Sequence, residues 1–227
     1  MRDTVGEVAR SAGVTVRSTL PAAGVVLAGG RSSRMGRAKA ALEWHGSTLL
    51  RRTCDVLGRA VTGPVVVVRA AGQDLPPLHP DVRVVDDPRD GLGPLQGLVA
   101  GLTAAARDAD RAFVCATDLP FLREAFVRRV LAGFDDDADI VLPVVGGRAQ
   151  PLAAGYRTAV LPTAQARLAG GRLRLGDLPG DCRTVRLDEA ALLADPALAA
   201  ADPGLDSVVN VNDPAEYAAA RRRGLSR

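Results

Sequence analysis

The sequence predicts an α/β fold with a doubly wound, mostly parallel sheet flanked by helices. Short apolar runs alternate with helical segments at least four times along the chain, which is the pattern of a parallel sheet. The run at residues 65–68 is continuously β-branched, as is typical of a strand buried on both faces. Ligands of such sheets bind at the carboxyl ends of the strands, so we expect function in the loops that follow them.

The predicted elements are bounded by clear turn and capping signals. Apolar runs predict strands, at residues 24–27, 65–68, 82–85, 113–116, 139–144 and, with a polar entry, 150–156. Periodic apolar stripes predict helices, at about residues 48–61, 94–107, 120–133, 158–168 and 214–223, and a surface helix and loop within 188–204. Ser47 or Thr48 can cap the first helix, and Pro94 suits the first turn of the second.

The composition allows a large domain with an aliphatic core. The chain has 227 residues, of which 47% are hydrophobic but only 3% aromatic, so alanine, valine and leucine have to fill the core. A formal net charge of +3 with mixed signs predicts neither nucleic acid nor membrane as a partner. Three well-separated cysteines and the lack of a signal-peptide core or membrane-spanning run predict a cytoplasmic protein without disulfides.

The first residues precede the predicted sheet. We expect residues 1–22 to form a tail or appendage to a single domain over residues 23–224. Residues 4–17 resemble the first helix and turn of MerR-type DNA-binding domains, but the resemblance stops at Pro21. A helix-turn-helix needs its complete recognition helix in the major groove, so DNA binding is not expected.

A glycine-rich, basic turn at residues 27–39 follows the first strand and suits an anionic ligand. Its glycines let a ligand approach the main chain closely, and exposed amides and basic side chains bind phosphate oxygens. It matches neither the P-loop nor the GxGxxG pattern. Lys39 is the only lysine among 29 basic residues, and an ammonium is a compact charge that can follow a phosphate. The alternative is a basic surface turn in which the lysine falls by chance.

Two aspartates follow predicted strands. Asp118 comes after the strand at 113–116 and before Pro120, where a carboxylate suits Mg²⁺ together with substrate phosphates. Alternatively, Asp118 caps a helix that starts near Pro120. Asp87 could bind a nucleobase, a ribose or a second metal, with a plain surface role as the alternative.

The sequence contains no evident nucleophile paired with a base. The only histidines, His45 and His79, fall in predicted turns. Catalysis would therefore rest on positioning and charge stabilisation, as is usual for phosphoryl-type transfer.

Six motifs in order resemble those of the MobA-like nucleotidyltransferases, a family that includes guanylyltransferases of the molybdenum cofactor. They are LAGGRSSRMGRAK (27–39), Asp87, GPLQG (93–97), CATDLP (115–120), QPL (150–152) and NVNDPAE (210–216). The resemblance covers residues 24 to about 217 and implies a Rossmann-like nucleotidyltransferase fold. It also implies transfer of GMP from GTP, with Mg²⁺, to the terminal phosphate of molybdopterin or molybdenum cofactor, with release of pyrophosphate.

The resemblance assigns roles to residues by position. It implies ligand-binding positions at Leu27, Ala28, Gly29, Gly30, Lys39, Asp87, Gly93, Asp118, Gln150 and Asn212. Lys39, Asp118 and Arg34 would be the catalytic residues, with Lys39 on the triphosphate and Asp118 on Mg²⁺ beside the α-phosphate. Gln150 and Asn212 would face the acceptor. Beyond GTP and molybdopterin, it allows transient contact with cofactor-synthesis or molybdoenzyme-maturation proteins.

Some alternatives within the family stay open. LAGG and GPL favour guanylyl over cytidylyl transfer, since cytidylyl members tend to carry LAAG. However, Ala38 stands where some guanylyl members have aspartate, and Val68 and Arg69 stand where some have asparagine, which leaves the exact nucleotide contacts open. The same loop also serves transferases that use CTP or another acceptor, such as a sugar phosphate or 2-phospholactate. The combination of Lys39 with Asp118 disfavours a non-catalytic nucleotide-binding protein.

Overall fold

The computed structural model of the chain describes residues 21–29, 39–88 and 91–224. Their strands are β1 (Ala23–Leu27), β2 (Glu43–Trp44), β3 (Ser47–Thr48), β4 (Val65–Arg69), β5 (Arg83–Asp86), β6 (Arg111–Ala116), β7 (Ile140–Val145), β8 (Arg148–Ala149), β9 (Ala153–Arg157) and β10 (Thr184–Leu187). The large sheet has the order β10-β7-β9-β6-β1-β4-β5, with β8 paired to the end of β7. β2 and β3 form a separate small hairpin.

The helices of the described residues cover both faces of this sheet. They are α1 (Leu49–Ala60), α2 (Pro94–Ala105), α3 (Glu124–Leu131), α4 (Leu161–Ala169), α5 (Glu189–Leu193), α6 (Pro196–Ala201) and α7 (Pro214–Gly224). One apolar core lies between the sheet and α1 and α3, and a second lies between the sheet and α2 and α4. Within the described residues, no helix is both long and apolar enough to cross a membrane.

The predicted doubly wound sheet is confirmed, and β1 lies in its interior, between β6 and β4. All five residues of β1 are buried, and the strand pairs in parallel with β4 on one side and β6 on the other. The predicted N-cap of α1 is also confirmed, because the Thr48 hydroxyl accepts a hydrogen bond from the Arg51 N–H. The strands β1 and β4 were predictable because a strand that is buried on both faces requires a continuous run of apolar residues.

The structure differs from the sequence prediction in several elements, and the short strands β2, β3 and β8 were not predicted. The strand β9 runs antiparallel between β6 and β7, and β10 adds a parallel edge strand beside β7 that was not predicted. The helix expected from Pro120 begins only at Glu124, since residues 119–122 form a turn in which the Leu122 N–H bonds to the Leu119 carbonyl. Asp118 therefore does not cap that helix.

Candidate active site

The loops after β1, β4 and β5 are joined through backbone hydrogen bonds at the carboxyl edge of the sheet. The N–H groups of Ala28 and Gly29 both donate to the Val68 carbonyl, at 2.7 and 3.1 Å. The Asp87 N–H donates to the Arg69 carbonyl at 2.7 Å. The start of the glycine-rich turn and Asp87 are thus both attached to the end of β4, at the edge of the sheet where ligands of such folds bind.

Gly29 lies close to the backbone after β4, where a side chain would be crowded. A Cβ atom at this position would lie 3.0 Å from the Ala70 nitrogen and 3.4 Å from the Arg69 carbonyl carbon. Both are main-chain atoms, which cannot rotate away. A side chain at position 29 would therefore require the backbone after β4 to shift by a few tenths of an ångström.

Several predicted positions lie outside the described residues. They are residues 1–20, Gly30, Arg34 and the side chain of Lys39. The Lys39 backbone is described and opens a 3₁₀ turn, Lys39–Ala41, that leads into the β2–β3 hairpin.

Two polar side chains that sequence reasoning missed hold the end of β1. The Gln73 side chain donates to the Ala28 carbonyl at 3.1 Å and accepts from the Ala70 N–H at 3.0 Å. From the other side, the buried Thr117 hydroxyl donates to the Leu27 carbonyl at 3.1 Å. Thr117 lies within the CATDLP motif, which was a usable signal, whereas no pattern distinguishes Gln73 in its polar, proline-rich stretch.

Arg69, one of the departures from the family pattern, is held beside Asp87. Its Nε donates to Asp86 Oδ1 at 2.7 Å, and its Nη1 donates to the Gln73 carbonyl at 3.1 Å. These contacts connect the ends of β4 and β5. Arg69 thus stiffens the edge from which Asp87 projects.

Gly93 is the N-cap of α2 and adopts φ 74° and ψ −170°. This left-handed φ strains any residue with a side chain. Pro94 follows in the first turn of α2, as predicted. The N-terminus of α2, which carries partial positive charge, comes shortly after Asp87 in the chain.

The Asp118 loop, residues 117–123, follows β6 and is held by the C-terminal part of the chain. The Asp118 carbonyl accepts a hydrogen bond from the Val211 N–H at 3.0 Å. At the end of the loop, the Arg123 N–H donates to the hydroxyl of the fully buried Ser207 at 3.1 Å. The Asp118 side chain itself is half-buried.

Arg52, on α1, also binds the Asp118 loop. Both Nη atoms of Arg52 donate to the Leu122 carbonyl, at 3.2 and 3.3 Å. Burial, with Arg123 and Arg59 nearby, lowers the pKa of Arg52 to about 10. Arg52 therefore stays charged at neutral pH and acts as a cationic donor to the loop.

Asn212 is brought beside Asp118 by the Val211 hydrogen bond. The Val211 side chain is buried, whereas Asn210 and Asn212 are exposed. The Asn212 N–H donates to the Glu216 carboxylate at 2.7 Å, and its side-chain amide donates to Asn210 Oδ1 at 3.2 Å. The segment thus presents polar side chains next to the Asp118 loop.

The Gln150 segment lies on the other side of that loop. Cys115 is in register with Ala153, and the Ala116 N–H donates to the Leu152 carbonyl at 3.1 Å. The half-buried Gln150 comes just before this pairing, and its side-chain amide donates to the Arg148 carbonyl. The structure therefore brings the Gln150 and Asn212 segments to the loop that carries Asp118.

Asp87 and Asp118 lie at opposite ends of this edge. They follow β5 and β6, which are separated by β4 and β1. Three strand spacings amount to roughly 14 Å. That separation disfavours a shared metal and suits a ligand laid across the end of β1, with one carboxylate near each end.

The donor set fits Mg²⁺ held by one carboxylate. Within residues 21–29, 39–88 and 91–224, no group of three or more histidine, cysteine, aspartate or glutamate side chains could hold a metal ion. Mg²⁺ does not need such a cage, since it is usually bound by one or two carboxylates together with substrate phosphates and water. The half-buried Asp118 at the carboxyl edge would be a ligand of that kind.

The fold and the site define an α/β nucleotidyltransferase, and comparison with known proteins gives the family. A family model described as a MobA-like NTP transferase domain matches residues 24–177. A probable molybdenum cofactor guanylyltransferase of Mycobacterium marinum is 41% identical over 169 residues, which cover 73% of this chain and 82% of the relative. One from Mycobacterium tuberculosis is 43% identical over 167 residues, covering 70% and 80%. The chain belongs to the MobA-like NTP transferase family.

Solved structures show the same fold at low sequence identity. Molybdopterin-guanine dinucleotide biosynthesis protein A from Archaeoglobus fulgidus superimposes with a TM-score of 0.71 at 18% identity, covering 90% of this chain and all of that one. The 2-C-methyl-D-erythritol 4-phosphate cytidylyltransferase from Thermus thermophilus gives 0.65 at 19% identity, covering 90% and 99%. The fold is thus shared by transferases of different substrates and does not by itself select the nucleotide.

Proposed function

We propose that this enzyme transfers GMP from GTP to the terminal phosphate of molybdopterin or molybdenum cofactor, which forms a guanine dinucleotide and releases pyrophosphate. One observation carries the proposal. The glycine-rich turn, Asp87 and Asp118 all follow strands on one edge of the sheet, in a chain whose relatives at 41% and 43% identity are named probable molybdenum cofactor guanylyltransferases.

The donor nucleotide would lie across the end of β1. Asp87 lies at the β5 end of the edge and would contact the nucleoside. Leu27, Ala28, Gly29 and Gly30 would meet the guanine and the phosphates, and Gly93 would allow α2 to begin close to the nucleotide. Lys39 and Arg34 would bind the triphosphate, where their positive charge offsets the negative charge of the leaving pyrophosphate.

The transfer itself requires little acid–base chemistry. An oxygen of the acceptor's terminal phosphate attacks the α-phosphorus of GTP, a new P–O bond forms, and the bond to the β-phosphate breaks. The attacking oxygen is already deprotonated at neutral pH, so no histidine or serine base is needed. Positioning and charge stabilisation are then sufficient.

Asp118 is the residue that would hold Mg²⁺ beside the α-phosphate. When bound, Mg²⁺ supplies charge that polarises the phosphoryl oxygens and offsets repulsion between two anionic substrates. The backbone contact of the Asp118 loop with Val211 supports an acceptor site formed by Asn212 on one side and Gln150 on the other.

The proposal is tested by incubating the protein with Mg²⁺ and molybdopterin and adding ATP, CTP, GTP or UTP in separate reactions. Pyrophosphate release is expected with GTP. Release with CTP alone would replace the guanylyl assignment by a cytidylyl one. No release with any nucleotide would refute molybdopterin as the acceptor, and parallel reactions with a sugar phosphate or 2-phospholactate would then test the alternatives.

A further inference from the structure

A small cluster of buried side chains lies apart from the two cores on the faces of the sheet. We call it the Trp44 cluster; its buried members are Leu42, Trp44, Leu49, Phe121, Val211 and Ala220, and Tyr217 packs against them. These side chains come from the β2–β3 hairpin and the residue before it, the start of α1, the Asp118 loop, the segment before Asn212, and α7. Segments that are distant in sequence thus meet in one apolar contact.

Three of these segments carry proposed site residues. Trp44 follows the 3₁₀ turn that begins at Lys39, Phe121 lies in the Asp118 loop, and Val211 directly precedes Asn212. The Trp44 ring meets the Phe121 ring edge to face, with 5.7 Å between the centroids and 81° between the planes. Such aromatic pairs have a preferred geometry and add to the stabilisation from burial.

The C-terminal helix α7 packs against the Trp44 cluster through Ala220 and Tyr217. The Tyr217 hydroxyl donates to the Glu43 carbonyl, and Arg221 forms an ion pair of 2.5 Å with the Glu43 carboxylate. The Arg223 guanidinium lies 4.9 Å from the centroid of the Phe121 ring. The helix therefore contacts both the hairpin next to Trp44 and the loop next to Asp118.

We propose that Trp44 is a positioning residue, which holds the turn that carries Lys39 at a fixed distance from the Asp118 loop and the Asn212 segment. The inference rests on the proposed function, since it assumes that Lys39 and Asp118 act on the same phosphates. The Trp44 side chain is only 5% exposed and is the aromatic member of the cluster that lies nearest in sequence to the Lys39 turn. Displacing a catalytic group by about 1 Å can slow a reaction about a hundredfold.

The test compares two truncated aromatic side chains. Phe134 packs over Gly155 and contacts the arginines Arg111 and Arg157 at the opposite, amino edge of the sheet. Trp44→Ala is expected to lower kcat with GTP and molybdopterin by about tenfold or more, whereas Phe134→Ala should lower the melting temperature and keep kcat. Trp44→Phe, which preserves an aromatic ring, should stay within about threefold of the wild-type kcat.

The proposal is overturned if folded Trp44→Ala keeps its kcat within about threefold, or if Phe134→Ala loses as much activity. If Trp44→Ala fails to fold, Trp44→Leu takes its place, because leucine keeps an apolar side chain in the cluster but removes the ring. Its kcat is expected to be at least about tenfold below that of wild type, while equilibrium dialysis shows GTP bound as in wild type. A folded Trp44→Leu variant with a kcat within about threefold of wild type would refute the positioning role.

The same measurements separate this inference from the proposed function. A wild-type protein that releases no pyrophosphate with any of the nucleotides and acceptors would refute the proposed reaction. Pyrophosphate release by wild type together with a fully active Trp44→Ala variant would refute the positioning role alone and leave the proposed reaction intact.

Discussion

The Val211 N–H donates a hydrogen bond of 3.0 Å to the carbonyl oxygen of Asp118. The bond attaches the C-terminal segment to the loop after β6 and sets the exposed Asn212 beside the Asp118 loop. Val211 lies beyond residue 177, where the match to the family model ends. The acceptor side of the proposed site is therefore built partly by a segment outside the part of the chain that the family model matches.

Val211→Pro should lower kcat, because proline has no N–H to donate and the Asp118 loop would lose its contact with the C-terminal segment. Val211→Ala is the matched control, since it removes the buried side chain but keeps the N–H. We expect kcat for the proline variant to be at least about tenfold below that of the alanine variant, measured on proteins with native circular dichroism. Equal kcat values would show that the backbone bond does not position Asp118.

Asp118→Asn should abolish pyrophosphate release while the fold stays intact, because the amide keeps the shape of the side chain but removes the charge that Mg²⁺ requires. A loss of kcat of at least about a hundredfold is expected. Lys39→Ala should have a similar effect. Unchanged turnover in both Asp118→Asn and Lys39→Ala would refute the assignment of the catalytic centre.

Asp87→Asn should instead act mainly by raising the KM for GTP, because Asp87 lies at the nucleoside end of the proposed site.

Gly29→Ala should raise the KM for GTP, because the added Cβ would press on the Ala70 nitrogen and tilt the glycine-rich turn. Gly176→Ala is a suitable control, since a Cβ added there would meet no atom within 4 Å and the φ of Gly176 is ordinary. Initial-rate measurements over a range of GTP concentrations are expected to give about a tenfold higher KM for the first variant and no change for the second. A Gly29→Ala enzyme with the wild-type KM would contradict the packing argument.

Stability should fall at alkaline pH partly through Cys54. Burial, with a smaller contribution from Asp55, raises the pKa of this thiol from 9.0 to about 12. Between these values the native state keeps the proton while the unfolded chain loses it, so the thiol lowers the free energy of unfolding by about 1.4 kcal/mol per pH unit. Urea unfolding across this window should give a shallower pH dependence for Cys54→Ala than for wild type. Identical slopes would contradict the assignment.

Much of the fold could be predicted because burial leaves a pattern in the sequence. β1 and β4 are apolar along nearly all of their length, and Thr48 caps α1 as its position suggested. The edge strand β10 was missed, since only Leu187 in it is buried and its structure depends on pairing with β7. The direction of β9 was also not predictable, because an apolar run reads the same in a parallel and an antiparallel strand.

The candidate site was predictable at the level of loops. The alternation of strands and helices predicts that Asp87, Asp118 and the glycine-rich turn lie at one edge. Strand order and backbone hydrogen bonds place Asp87, Asp118 and the start of that turn, residues 27–29, at this edge. The supports of these loops were not predictable, since Gln73 and Arg52 act on carbonyl groups that only the tertiary fold brings near. The roles of Gly30 and Arg34, the appendage at residues 1–22, the single domain over 23–224, protein partners and the cytoplasmic location stay predictions.

The most direct test of the central claim is to follow the α-phosphate of GTP. GTP labelled at its α-phosphorus is incubated with the protein, Mg²⁺ and molybdopterin, and the products are separated and identified by mass spectrometry. The proposed reaction predicts that the label appears in a molybdopterin guanine dinucleotide, with one unlabelled pyrophosphate released for each dinucleotide formed. Label that stays in GTP, or that appears only in free GMP, would contradict it.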